Sequence, residues 1–182
     1  MRITTAYLMT LDTQDVFDIV AWQLLRQNGQ SMAHESARCR YRAPDGKRCA
    51  VGWLIPDDVY SPRLEHLGVR DVAAILCKTD HGIRFAEFLC RHMSLLRDLQ
   101  GMHDARAPAE WPAALREIAR GYGLRETVIG KSIAHVQRCA PPEHSPAHRL
   151  STSAYLLDLI ANVAAQTRAP ATASTTEREE VA

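Results

Sequence analysis

Lysine is nearly missing from this chain: Lys47, Lys78 and Lys131 stand against 19 arginines. With abundant alanine, that imbalance is first a mark of GC-rich coding, as in bacterial and phage genomes. Charge of either sign is not in excess either. A net charge of +1 over 182 residues argues against a strongly basic nucleic-acid binder and against an acidic DNA mimic. No apolar run approaches the ~18 residues of a membrane span. The opening stretch from Met1 to Asp15 also lacks the apolar core of a secretory signal. Five cysteines make an odd number without the spacing of a disulfide framework. Free thiols in the reducing cytoplasm of a bacterial host are the expectation. Also missing are a Walker loop, a dinucleotide glycine fingerprint, a Gly-x-Ser-x-Gly elbow and a His-Glu-x-x-His pair, which removes the commonest enzyme classes.

What is present begins with a helix over about 14–28, where Val16, Phe17, Val20, Leu24 and Leu25 recur at helical spacing. Asp12 or Thr13 supplies its cap and Gly29 its left-handed end. Residues 30–37 read as a polar connector. The most informative stretch follows, from Arg38 to Tyr60. Ala43-Pro44-Asp45-Gly46 is a turn with a mechanism, since Pro44 presets φ and Gly46 accepts a positive one. A three-residue loop would pair Arg42 with Arg48. Alternation then places Cys39, Tyr41, Cys49, Val51, Trp53 and Ile55 on one face, and Arg38, Arg40, Arg42 and Arg48 on the other. Gly52 suggests a bulge or close backbone approach, and Pro56 ends the second strand.

Helical patterns continue over 69–78, over 83–100 with Phe85, Leu89, His92, Leu96 and Leu99 on one side, from Pro108 through Trp111, Leu115, Ile118 and Tyr122, and over 124–138. The expected fold class is α+β: a small antiparallel β-hairpin, with room for a third strand, packed by four to six helices. The expected organisation is one globular domain over 1–140, a proline-rich linker and helix over 141–168 carrying Leu156, Leu159, Ile160 and Val163, and a disordered tail over 169–182.

Cys39-x-Tyr41-Arg42-x3-Gly46-x2-Cys49-Ala50-x-Gly52-x-Leu54-Ile55-Pro56-Asp57-x2-Tyr60 resembles a motif of an uncharacterised family of small phage- and prophage-encoded proteins. Leu96, Leu99, Gln100, His103-Asp104, Pro108, Trp111, Leu115 and Ala119 extend the match, which spans roughly 14–124. The resemblance implies a mobile-element origin and carries over no catalytic residue. It makes a phage or prophage accessory protein the leading reading, binding a host or phage macromolecule, with anti-defence or host takeover as the fitting class.

Three constellations carry chemistry. Cys39 and Cys49, on one face of adjacent strands, can be half of a zinc site completed by His66, His81 or His103, although ten positions across a hairpin is not zinc-ligand spacing. Cys49 can instead be a nucleophile with His103 as base and Asp104 or Asp57 orienting it, in a hydrolase or transferase. Against both stands the habit of free cysteine to sit in cores as a small hydrophobe. The Arg40, Arg42 and Arg48 face, with Asp57 and Tyr60, is the nominated binding surface. Nucleic acid is the alternative partner, although no aromatic residue alternates with the arginines to stack a base. Asp57, Asp58 and Glu65 read as turn and cap carboxylates before a metal cluster. No cofactor is expected, zinc apart, and the balance falls against an enzyme.

Overall fold

The structure, a computed structural model, describes residues 3–33, 36–80 and 82–139. His34, His81 and the expected linker, helix and tail over 141–182 lie outside the described residues. Seven α-helices dominate them: α1 (Thr5–Leu8), α2 (Thr13–Gln27), α3 (Val69–Leu76), α4 (Ile83–Arg91), α5 (Met93–Ala105), α6 (Trp111–Gly121) and α7 (Thr127–Cys139). Regular β pairing among the described residues is confined to a ribbon of β1 (Met32–Ala33) and β2 (Ser36–Cys39), antiparallel.

The α+β expectation is therefore corrected to a mostly helical fold. The predicted hairpin around Gly46 reduces to a single bridge between Arg42 and Arg48. Its turn forms as read, with Gly46 at φ 83. The following residues, however, do not extend. Trp53 N–H reaches Cys49 O and Leu54 N–H reaches Val51 O, so 49–54 curls into successive turns. Burial explains the choice. Cys49, Ala50, Val51, Leu54 and Ile55 are all enclosed, whereas a strand with one wet face would expose every second residue.

The curled segment needs partners for its backbone, and helix-borne glutamines supply them. Gln27 works as a peptide-shaped clamp: its Nε2 donates to Arg48 O (2.9 Å) and its Oε1 accepts from Arg48 N–H (2.8 Å). Gln100 Oε1 accepts from Val51 N–H at 3.2 Å. Gly52 is required here, because a Cβ would stand 1.9 Å from Tyr41 O.

Helix α2 starts at a capping box in which Asp12 and Asp15 exchange side-chain and backbone bonds. It ends on Asn28 at φ 45, one residue before the glycine expected there. The single helix predicted over 83–100 breaks at His92 into α4 and α5. On both sides of the break Phe85, Phe88, Leu89, Leu95, Leu96 and Leu99 are inside. Pairs α2 and α7, α3 and α4, and α5 and α6 pack against one another. Trp111, Phe17, Phe85 and Phe88 fill the centre with no more than 2 % exposure each. Each such side chain contributes about 1.5–3 kcal/mol of burial free energy. Trp111 also satisfies its indole N–H on Arg106 O at 3.0 Å.

Candidate functional site

Helix α5 runs through Ala105, past the end expected at Gln100, so His103 and Asp104 lie on its last turn rather than in the loop that the sequence suggested. Gln100 and Asp104, four apart, share a face, and Gln100 Nε2 donates to Asp104 Oδ1 at 2.7 Å. His103 turns inward, fully buried, with its ring stacked 5.3 Å from Trp111.

The tautomer of His103 follows from its neighbours. Ser31 N–H donates to Nε2 (3.2 Å), so the lone pair is there. The proton is on Nδ1 and is given to Asp104 Oδ1 at 2.8 Å. The Cys39 thiol lies beside the same carboxylate and donates to Met32 Sδ at 3.5 Å. Burial alone raises the Asp104 carboxyl, but the His103 and Gln100 donors and the neighbouring Cys39 thiol outweigh it and hold the group below its ordinary 3.8. The same burial, followed by the neighbouring Asp104 carboxylate, pushes the Cys39 thiol up to about 12.

Cys39, His103 and Asp104 place one ligand atom each within 4.8 Å of one another. Their hydrogen bonds are those of a closed network. Zinc on Nδ1 would require the His103 proton to move to Nε2, against the Ser31 N–H, and would require a thiolate at Cys39. Cys49, the other ligand read from sequence, is not in this group, so of that reading the structure brings together Cys39 and His103 only.

Cys49 is 1 % exposed, and its sulfur accepts from Gly52 N–H at 3.3 Å. Burial holds its thiol far above the ordinary value of 9.0. Both nitrogens of His103 are engaged by Ser31 and Asp104. The structure thus brings His103 to Asp104 and leaves Cys49 as a protonated core thiol with no imidazole base among the described residues.

The nominated binding residues do converge. Arg42 donates from Nη2 to Ile55 O (2.8 Å) and pairs with Asp57 at 2.9 Å, its guanidinium 4.1 Å above the Tyr60 ring. Arg48 reaches the same Asp57 at 3.9 Å and lies 5.4 Å above the Trp53 ring. Trp53 was placed by strand alternation on the cysteine face, and the turns over 49–54 bring it round to the arginines. Glu65 anchors the group from below: its carboxylate accepts from Tyr41 N–H (2.9 Å), Arg42 N–H (3.1 Å) and Tyr60 O–H (2.8 Å). Asp57 and Glu65 are therefore separate structural acceptors rather than a carboxylate cluster, and Asp58 is exposed. Glu65 is the residue whose role was least visible beforehand; its one signal was a carboxylate close after Tyr60.

Arg40 behaves differently. Its N–H is fixed on Ser31 O at 2.8 Å. Its guanidinium finds no acceptor among the described residues, and its Nε is enclosed. It lines a half-open cavity of about 450 Å3 together with Cys39, His66, Gly68, Val69 and Asp104.

No protein family, curated protein or solved structure matches the chain. No helix among the described residues is long and apolar enough to cross a membrane.

Proposed function

We propose that this protein is a non-enzymatic accessory protein of phage or prophage type that acts by binding a host or phage protein through the Arg40, Arg42, Arg48, Asp57 and Tyr60 face. The observation that carries this reading is the convergence of Arg42 and Arg48 on Asp57, each guanidinium lying over an aromatic ring. Arginine, tyrosine and tryptophan held in fixed positions are the residue types that dominate protein–protein binding energy, and side chains already ordered lose less entropy on binding. The mobile-element origin rests on the Cys39-to-Tyr60 motif alone. A cysteine-dependent hydrolase or transferase draws no support from thiols held protonated by burial. Nucleic-acid binding is disfavoured for a related reason: Arg42 and Arg48 already cover Tyr60 and Trp53, the rings a base would use.

Arg42 also holds Ile55 O, so its removal tests the fold as well as the face. Arg40 and Arg48 are the better probes. The tagged protein and its Arg40→Ala/Arg48→Ala variant are used to capture partners from bacterial lysate. Any stoichiometric partner is then purified and titrated calorimetrically against both. Affinity lost at least tenfold in a variant of unchanged thermal stability supports the reading. Equal affinity overturns it.

A further inference from the structure

We infer that the cavity between Arg40, His66 and the start of α3 is a binding site for a small molecule with an oxyanion at one end and hydroxyl or amine donors at the other. Arg40 is shared with the proposed protein-binding face, but the other walls of this cavity are not, and Arg48 and Trp53 take no part in it.

One wall is an unmet donor. Arg40 lines the cavity, its guanidinium has no acceptor among the described residues, and its enclosed Nε has no partner. A buried cationic donor left unpaired is costly, and such groups are ordinarily satisfied by protein, water or ligand. Arg42 shares the enclosed, unpartnered Nε but places its Nη2 on Asp57 and Ile55 O, and Arg48 pairs with Asp57.

The neighbouring wall adds a donor of the same kind. Gly68 and Val69 line the cavity where α3 begins. Gly68 caps α3 with no side-chain bond, and the Val69 N–H has no backbone or side-chain acceptor among the described residues, while the Asp71 carboxylate of the same turn stands beside Gly68 outside the cavity lining. First-turn N–H groups favour an anion when a cation already draws it there. Just before them, His66 holds φ 67, a left-handed conformation that costs energy for any residue with a side chain. Such strain gathers at ligand clamps more than elsewhere.

The far wall has the opposite chemistry. Asp104 presents a carboxylate already engaged by His103 and the Gln100 amide. It would repel a second anion and accept from a hydroxyl or amine. A cavity of about 450 Å3 suits a ligand the size of a sugar phosphate or sugar acid. The polarity of the two ends fixes the orientation, with the oxyanion on Arg40.

The test titrates the whole protein with ribose 5-phosphate and with gluconate, by calorimetry and thermal shift. Ribose and chloride at matched ionic strength serve as controls. Saturable one-site binding of either anion, absent with the controls, is expected, and whichever anion binds tells phosphate from carboxylate. Arg40→Gln should weaken binding at least tenfold with little change in the melting temperature of the free protein, because the side chain bonds to nothing there. Arg48→Ala should bind like the wild type, which separates this site from the proposed protein-binding face. Absence of saturable binding by both anions overturns the inference, as does wild-type affinity in Arg40→Gln.

Discussion

Replacing Glu65 by glutamine changes one atom and should loosen the whole arginine-bearing loop. The carboxylate accepts at both oxygens: Oε2 takes Tyr41 N–H, and Oε1 takes Arg42 N–H and Tyr60 O–H. Glutamine has one acceptor oxygen. If that oxygen keeps the Oε1 bonds, its NH2 confronts the Tyr41 N–H donor to donor, and the backbone of a buried residue goes unpaired. Hydrogen bonds to a charged group contribute about 1.5–3 kcal/mol each, and an orphaned buried donor costs about 1–3 kcal/mol. Glu65 is only half-buried, which argues for the low end. Glu65→Gln should thus cost about 2 kcal/mol and Glu65→Ala about 3 kcal/mol, while Tyr60→Phe, which loses one bond, should cost about 1 kcal/mol. Urea denaturation monitored by tryptophan fluorescence and circular dichroism gives all three from midpoints at constant slope. At about 2–4 °C per kcal/mol for a chain of this size, Glu65→Gln should melt roughly 4–8 °C lower. A Glu65→Gln variant within 0.5 kcal/mol of wild type would refute the account, because water or the loop would then be replacing the carboxylate freely.

Gly52→Ala should be worse than either Glu65 change, at ~3 kcal/mol or more, since the new methyl meets the Tyr41 backbone rather than a movable side chain; soluble yield and melting temperature check it. Pulse alkylation with N-ethylmaleimide and peptide mapping should modify the exposed Cys77 and Cys90 first and Cys49 last, with Cys49 labelling only as fast as the protein opens. Rapid labelling of Cys49 at neutral pH would revive the nucleophile. Burial and the adjacent Arg91 hold His92 below its ordinary 6.5, opposed by Asp12 and the Leu11 carbonyl. The unfolded chain therefore takes up this proton first as pH drops, so stability should fall from about pH 6.5 downward, by at most about 1.4 kcal/mol per pH unit, and level off below the folded value. In His92→Gln that part of the slope should vanish; an unchanged slope would assign it to other groups.

The helices were legible because their signals are local. The stripe of α2 and its Asp12 cap, and the stripe of α6 through Trp111 and Leu115, each sit within a few turns of sequence. Two features were not local. The break at His92 carries no proline or glycine, and Phe88, Leu89, Leu95 and Leu96 on its two sides would share one face of an unbroken helix, so nothing in the local pattern marks it. The second is the curl over 49–54. Its sequence alternates well enough for a strand, but both faces are covered, and Gln27 and Gln100 provide the backbone partners a neighbouring strand would have given. Two misreadings shaped the picture of the site. Ending the helix at Gln100 rather than Ala105 put His103 and Asp104 in a loop, where a free imidazole can act as base, and reading a strand over 49–54 sent Trp53 away from Arg48. The turn at Gly46 and the grouping of Arg42, Arg48, Asp57 and Tyr60 were within reach because they need only a chain reversal and its neighbours.

The glutamine clamps give the loop an unusual clock. In a sheet, an amide becomes exposed to exchange when a strand separates and takes its neighbours with it. The Arg48 and Val51 amides are each held by one side chain, Gln27 and Gln100, and a side chain can swing away while its helix stays intact. These two amides should exchange with solvent hydrogen on the timescale of a rotamer change and a slight loop opening, well before the helical amides on either side of them. Deamidation at Gln27 would leave a carboxylate that still accepts from the Arg48 N–H but has no N–H to give Arg48 O, loosening one half of the clamp and leaving Val51 untouched.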